Sequence, residues 1–159
     1  MIRSSILAAA LALRSVGFAA EPPAAPPASA APPASAAAAA GAAVFAGRCA
    51  VCHGPQAAGI PGSFPSLHEQ IAAFAKTPEG RDYLVMVVTT GLMGSLKVGG
   101  VNYNGVMPAQ SGLSEAEIAA VLSYLSGAAL SAADVAEART RHTDKSAQAT
   151  RALRPASDL

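Results

Sequence analysis

The sequence contains no tryptophan, and it has only four phenylalanines and three tyrosines among its 159 residues. Although 52% of the residues are apolar, alanine supplies much of that fraction, so few large side chains remain to fill a core. A domain of roughly 90 residues buries only about 60–65% of its unfolded surface. The shortage of bulky groups therefore predicts that a bound apolar group completes the core.

The sequence has no large excess of charge of either sign, since it contains eleven basic and ten acidic residues and its net charge is +1. No segment concentrates the basic residues into a patch, which argues against nucleic acid as a partner. The sequence also shows no acid–base pair, activated nucleophile or open metal site. We therefore do not expect this chain to turn over a substrate by itself.

The first 20 residues follow the pattern of a secretory signal peptide, with Arg3, an apolar run over 6–13 and small residues before a cleavage point at Ala19 or Ala20. Arg14 interrupts this pattern. A membrane anchor is the alternative, but a spanning helix needs about 20 apolar residues and this run is shorter. We expect export to the periplasm, removal of the signal peptide and no transmembrane segment in the mature chain.

Residues 21–40 hold six prolines and eleven alanines, a composition that predicts a semi-rigid spacer. The folded domain is expected over 41–127. The tail over 128–159 has few large apolar groups. We expect one short helix over 131–141 and frayed chain beyond it.

The two cysteines of the chain are three positions apart, at Cys49 and Cys52, and His53 follows directly. C-x-x-C-H is typical of the attachment of a c-type haem. One helical turn presents both thiols to the vinyl groups of a single porphyrin, and the adjacent histidine supplies a ligand to its iron. The motif predicts one covalent haem c bound by these three residues.

Three other interpretations of the motif explain less. A structural zinc site needs four ligands, and the chain has only two further histidines, His68 and His142. A thioredoxin-like redox pair expects a strand before the motif, whereas residues 41–48 look helical. A disulfide between the two cysteines is possible but leaves His53 unexplained.

An electron-transfer haem of low spin needs a second iron ligand, and methionine raises its reduction potential. Met107 precedes Pro108, which restricts it to extended backbone and suits a ligand held by a loop. We predict Met107, with Met93 as the alternative. Met86 lies in an apolar run expected in the core, and His68 lies at what looks like a solvated helix start.

Periodicity and end signals predict a helical scaffold with one hairpin. The pair Gly99-Gly100 between short apolar runs is typical of a two-residue β-hairpin turn. Four helices are expected. The first covers 41–52, and the second follows the capping box Ser66-x-x-Glu69. The third runs from Thr77-Pro78 to Thr90 with Gly91 as a left-handed cap, and the fourth runs from the capping box Ser114-x-x-Glu117 to Gly127.

The attachment motif, Cys49 to Gly54, and the segment from Tyr103 to Pro108 together resemble class I monohaem cytochrome c domains, over about residues 41–127. The resemblance implies an all-α fold of about four helices around one covalent haem, with a hairpin before the methionine loop. It implies electron transfer by an iron held by His53 and Met107.

The resemblance also implies further contacts to the haem. The carbonyl of Pro61 is expected to accept the ring N–H of His53, which would orient the ring and raise its basicity. Phe64, Pro65 and Leu67 are expected in the apolar wall of the pocket. Tyr103 is expected either to cover a haem edge or reach a propionate, or simply to pack the hairpin.

The hairpin is similar to that of domains which serve periplasmic dehydrogenases, copper nitrite reductases or terminal oxidases. We therefore expect redox proteins as partners, and a monomer or a subunit of a complex. Two alternatives remain for the function. One is a fixed haem subunit of a larger oxidoreductase, motivated by the linker and the tail; the other is a haem sensor or peroxidase with an open sixth position.

Overall fold

The computed structural model describes residues 34–156. The predicted signal peptide and most of the predicted linker lie outside the described residues. The elements are α1 (Ala34–Val44), a π-helical turn (Phe45–Cys49), α2 (Ala50–His53), α3 (Glu69–Phe74), α4 (Pro78–Thr90), β1 (Leu92–Val98), β2 (Val101–Met107), α5 (Glu115–Ser126), α6 (Ala132–Arg141) and α7 (Ala147–Ala152). The described part is mostly helical with one small two-stranded sheet, as expected.

Helix α1 begins inside the predicted linker, because proline ends at position 33 and alanine, the strongest helix former, fills most of 34–40. The helical stretch Ser35–His53 is long and apolar enough to cross a membrane by length and composition, contrary to expectation. Those criteria are a weak indication. Part of the stretch packs within the protein, since a Cβ on Gly41 would collide with the carbonyl oxygen of Ala120 in α5.

The π-helical turn joins α1 to the attachment motif. Its first residue, Phe45, is buried and lies 5.9 Å from Tyr124 of α5, measured between ring centroids. The backbone N–H of Ala50 donates to the carbonyl of Phe45, five residues earlier. Such turns change the phase of a helix and are frequent at functional sites. Here Phe45, at the start of the turn, faces the core, whereas Cys49, at its end, lines the cavity side of the helix.

Helices α4 and α5 form the centre of the fold, and their N-terminal ends match the sequence signals. Thr77 caps α4 by accepting from the N–H of Gly80 at 3.0 Å. The capping box of Ser114 and Glu117 begins α5, and Gly127 ends it in the left-handed conformation. Both helices bury one apolar face, so the predicted helices over these segments are confirmed.

The predicted hairpin is present and longer than expected. Strands β1 and β2 pair antiparallel from Leu92 opposite Met107 to Val98 opposite Val101. Gly99 and Gly100 both have positive φ, at 55° and 79°, as a two-residue turn of this kind requires. The pairing therefore continues down to the residue proposed as the iron ligand.

Two predicted helix ends are wrong. Ser66 does not cap α3, because the N-cap of that helix is His68, and the Ser66 hydroxyl accepts from the His68 N–H at 3.3 Å instead. Gly91 ends α4 with φ 82° but ψ −179°, which is not a left-handed cap. This conformation turns the chain into β1.

The tail is ordered well beyond 141, so the expectation of frayed chain is wrong. Ser131 and Asp134 form a capping box that begins α6. After it, α7 docks on α4, where the buried Thr150 hydroxyl bonds to the hydroxyl of Thr90. Asp82 of α4 holds α6 through Arg141 at 2.7 and 2.9 Å. Tail and domain thus form one packed structure.

Candidate functional site

A cavity of about 260 Å³ lies between the attachment motif, the loop over 63–67, α4 and the hairpin. Its lining is mainly apolar. The structure brings together at this cavity eight of the nine residues that were predicted to bind the cofactor: Cys49, Cys52, His53, Phe64, Pro65, Leu67, Tyr103 and Met107. The ninth, Pro61, is exposed and lies outside the lining.

His53 is 7% exposed, and its Nδ1 lies 2.8 Å from the carbonyl oxygen of Pro65. A carbonyl can only accept, so Nδ1 carries the proton and donates it. The other ring nitrogen, Nε2, then keeps its lone pair for a metal. A hydrogen bond of this kind fixes the tautomer and the ring orientation and raises the basicity of the ligand.

The prediction that Pro61 accepts this hydrogen bond is wrong, and the loop geometry explains why. The carbonyl of His53 accepts from the N–H of Gly59 at 2.8 Å, which folds the chain back toward the helix. Ile60 and Phe64 then pair backbone to backbone at 2.7 and 2.8 Å. Pro61 lies at the exposed tip of that turn, and the returning chain brings Pro65 to the ring.

Cys49 and Cys52 lie three residues apart on the helical segment that ends at His53, so their side chains share one face. Both are free thiols and both are half-buried. Burial raises the pKa of the Cys49 thiol, which keeps it protonated at neutral pH. Both thiols lie beside the apolar cavity, within reach of a group held there.

Strand alternation decides which hairpin residues face the cavity. Leu92, Gly94, Leu96 and Val98 of β1 line it, while the residues between them are exposed. Met93 is one of the outward residues and is 47% exposed. The pairing of Leu92 with Met107 puts Met107 at the same edge of the hairpin, where it is half-buried and lines the cavity.

The other candidate ligands lie elsewhere. Met86 is fully buried within α4, where the Thr89 hydroxyl approaches its sulfur at 3.8 Å, and it does not line the cavity. His68 is exposed at the start of α3. His142 follows α6 in the tail, where its ring bonds to the carboxylate of Asp82 at 2.9 Å.

The backbone of Gly91 makes room for the methionine loop. A Cβ on this residue would lie 2.5 Å from the carbonyl oxygen of Met107, and its φ of 82° is unfavourable for residues with side chains. The N–H of Gln110 donates to the carbonyl of Val88 at 2.9 Å, just after the loop. Together these contacts hold the segment after β2 against the end of α4.

Aromatic rings complete the cavity wall. Phe64 meets His53 edge to face, with 6.4 Å between ring centroids. Tyr103 is buried and faces the cavity opposite Leu96 in the hairpin register. Tyr83 of α4 lies against Phe74, and burial raises the pKa of its phenol. These rings form part of the wall of the cavity.

Several lining residues were not predicted from the sequence as site residues. Phe74 and Tyr83 belong to helices whose apolar faces were recognised, so their periodicity was an available signal. Gln70 and Arg154 carry no such signal. They are 84 positions apart, and a hydrogen bond of 3.0 Å joins them at the cavity edge.

Comparison with known proteins identifies the family. Residues 38–129 match the cytochrome c family. This match covers more than half of the 159 residues. The chain belongs to the cytochrome c family.

Two curated relatives are both named cytochrome c-552. One, from Thermus thermophilus, is 43% identical over 81 residues, which are 51% of this chain and 62% of that protein. The other, from a named strain of the same species, is 44% identical over 81 residues, which are 51% of this chain and 55% of that protein. The chain thus spans about three fifths of the length of the relatives it matches.

Membership of the cytochrome c family implies covalently bound haem c with its iron, and the residues present fit that group. Two thiols on one helical turn, a histidine with its lone pair available and an apolar cavity are the donors and the surroundings that haem c requires. Cytochrome c homologues are electron-transfer proteins and not enzymes, in agreement with the sequence prediction.

Proposed function

We propose that this protein carries single electrons between redox proteins, through a haem c whose iron is bound by His53 and Met107. The observation that carries the proposal is that these two side chains line one apolar cavity from different elements, the attachment helix and the end of β2. When bound, haem c supplies an iron that takes up and releases one electron.

The residues of this chain have distinct tasks in that function. Cys49 and Cys52 hold the group by two thioether bonds. His53, oriented by the Pro65 carbonyl at 2.8 Å, offers a basic nitrogen. Met107 offers a thioether sulfur, a ligand that raises the reduction potential. His53 lies on a helix and Met107 lies on a paired strand. Both side chains should therefore move little when the charge on the iron changes.

Partners would dock where apolar side chains surround the mouth of the cavity. Val51 is 85% exposed between the two cysteines, and Val106 is 67% exposed beside Met107. Phe64 is also partly exposed at the cavity. A small apolar surface of this kind suits brief contacts with redox proteins, which bury less area than stable complexes.

Export to the periplasm belongs to the same proposal. It rests on the signal pattern in residues 1–20, which lie outside the described residues. The alternative of a fixed subunit was motivated by the linker and the tail. Since α6 and α7 pack on the domain itself, the tail offers less support for that alternative than its sequence suggested.

A potentiometric titration of the full-length exported protein tests the function. We expect one reversible transition with the slope of a single electron, followed by the haem absorption. The ferrous protein should not bind carbon monoxide at neutral pH, because His53 and Met107 would both hold the iron. Carbon monoxide binding there would contradict the Met107 ligand and favour the sensor or peroxidase alternative.

A further inference from the structure

Arg154 lies in the tail, beyond the family match that ends at residue 129, yet it lines the haem cavity. It follows α7 and is half-buried. The docking of α7 on α4 through Thr150 and Thr90 fixes the chain just before it. A side chain from a separate C-terminal segment is thereby held at the edge of the cofactor site.

Three neutral groups hold the guanidinium of Arg154. Its Nη2 donates to the Gln70 side-chain oxygen at 3.0 Å and to the Lys97 carbonyl at 2.9 Å. Its Cζ lies 5.8 Å from the centre of the Phe74 ring, within the range of a cation–π contact. These contacts come from α3 and β1, and they orient the guanidinium without neutralising its charge.

No carboxylate among the side chains that the structure describes pairs with Arg154, and none of the described residues that line the cavity is Asp or Glu. Within the same set, the hydrogen bonds of Arg154 come from Nη2 and leave Nε and Nη1 unused. A partly buried cation beside an apolar cavity is costly unless an anion meets it. The ion pairs among the described residues are Arg139–Glu115, Arg141–Asp82, Arg141–Glu137 and His142–Asp82.

We propose that Arg154 is the counter-charge for a propionate of the bound haem and raises the reduction potential of its iron. A guanidinium forms strong, charge-assisted hydrogen bonds to a carboxylate, and Nε and Nη1 of Arg154 remain available as donors for such a bond. A fixed positive charge near the iron favours its reduced state. The inference rests on the haem c of the proposed function.

The test compares reduction potentials of the isolated holoprotein. Arg154→Gln should shift the ratio of oxidised to reduced protein about tenfold toward the oxidised form, which is a fall of about 59 mV for one electron. Arg154→Lys keeps the charge and should recover most of that shift. Arg151→Gln removes one charge from α7. The Arg151 guanidinium lies beside Gly94 of β1, but Arg151 does not itself line the cavity, so this variant should shift the potential much less than Arg154→Gln.

The pH profile of the potential separates a charge role from a purely structural one. In the wild type the cation keeps the propionate ionised, so the potential should be flat between about pH 6 and 8. In Arg154→Gln the pKa of the propionate rises, and the potential should become dependent on pH in that range.

The other titratable or charged groups near Arg154 do not account for such a change. Tyr83 and Arg48 line the cavity, Lys97 lies in β1, His68 precedes α3 and Arg151 lies in α7. All of these groups are common to the wild type and Arg154→Gln. A pH dependence that appears only in Arg154→Gln therefore belongs to the propionate.

Two results would overturn the proposal. One is an Arg154→Gln variant that has haem attached and a native circular dichroism spectrum but shows the potential and pH profile of the wild type. That result would mean that Arg154 only tethers the tail, even if the melting temperature falls. The other is an equal shift in Arg151→Gln, which would mean a general charge effect. Failure of haem attachment in the wild type would instead refute the proposed function.

Discussion

Two clusters of buried side chains hold this domain, and they differ in size. The larger one, which we call the tail-side core, joins α3, α4, α5 and α6: Phe74, Ala75, Tyr83, Leu84, Val85, Ile118, Ala119, Leu122, Val135 and Ala138. The smaller one, the motif-side cluster, contains three buried residues beside the cysteines: Phe45, Ala57 and Val121.

The difference shows where the cofactor contributes to stability. The tail-side core buries whole faces of helices, whereas the motif-side cluster has only three buried residues. The apolar cavity lies between the two: Cys49 and Leu67, which pack on the motif-side cluster, and Phe74, Tyr83 and Leu84 of the tail-side core line it. Haem would bury those groups, and the smaller cluster has little other packing of its own.

Replacing both cysteines should have the largest effect. Without thioether bonds, Cys49→Ser/Cys52→Ser should lose haem, and folded protein should fail to accumulate, because the motif-side cluster cannot close. The amount of soluble protein and its resistance to proteolysis over 45–67 measure this. A single Cys49→Ser variant keeps one bond and should be intermediate. A stable, folded, haem-free double variant would show that haem is not needed to complete the core.

A core substitution on the other side should be costly but should not depend on the cofactor. Ile118→Ala removes a buried side chain of the tail-side core and should lower the free energy of unfolding by about 2–5 kcal/mol. Urea denaturation of the holoprotein measures it. Val51→Ala, at a largely exposed position, is the control and should change stability by less than about 0.5 kcal/mol. Equal losses in both variants would show that Ile118 contributes no packing to the tail-side core.

Changing the proposed ligand should alter the iron more than the fold, because Met107 is only half-buried. Met107→Ala should abolish the weak far-red absorption band of the ferric iron–methionine bond and lower the reduction potential. Met93→Ala removes an outward methionine from the same hairpin and should leave both unchanged. If the band survives in Met107→Ala, another residue is the ligand.

The smallest effect is expected where the tail meets α4. Hydrogen bonds from Arg141 hold the pKa of Asp82 below its usual value, with His142 adding to the effect. The stability from this carboxylate is therefore fully present above about pH 4 and declines as the pH falls through the lowered pKa. Asp82→Asn should lose about 1 kcal/mol at neutral pH and should flatten this acid dependence. A variant with the same acid profile as the wild type would show that the contact contributes nothing.

Local patterns predicted the parts of the structure that local contacts determine. The capping residues Thr77 and Ser114 act on N–H groups three residues away, and the turn at Gly99-Gly100 depends on two backbone conformations. The motif from Cys49 to His53 lies within one segment of helix. In each case the decisive contact is visible within a few positions of sequence.

Contacts between distant segments could not be predicted in this way. Whether Pro61 or Pro65 meets His53 depends on the turn closed by Ile60 and Phe64, not on the presence of a proline. The order of the tail depends on pairs such as Thr90 with Thr150, which are 60 positions apart. The sequence around either residue contains no hydrophobic period or capping residue that indicates which distant residue it will contact.

The optical spectrum of the exported protein, oxidised and reduced, before and after extraction with acid acetone, tests the central claim most directly. The account predicts haem that stays with the protein after extraction and, in the oxidised form, the far-red band of an iron–methionine bond. Haem that is extracted would contradict attachment by Cys49 and Cys52. Retained haem without the band would contradict ligation by Met107.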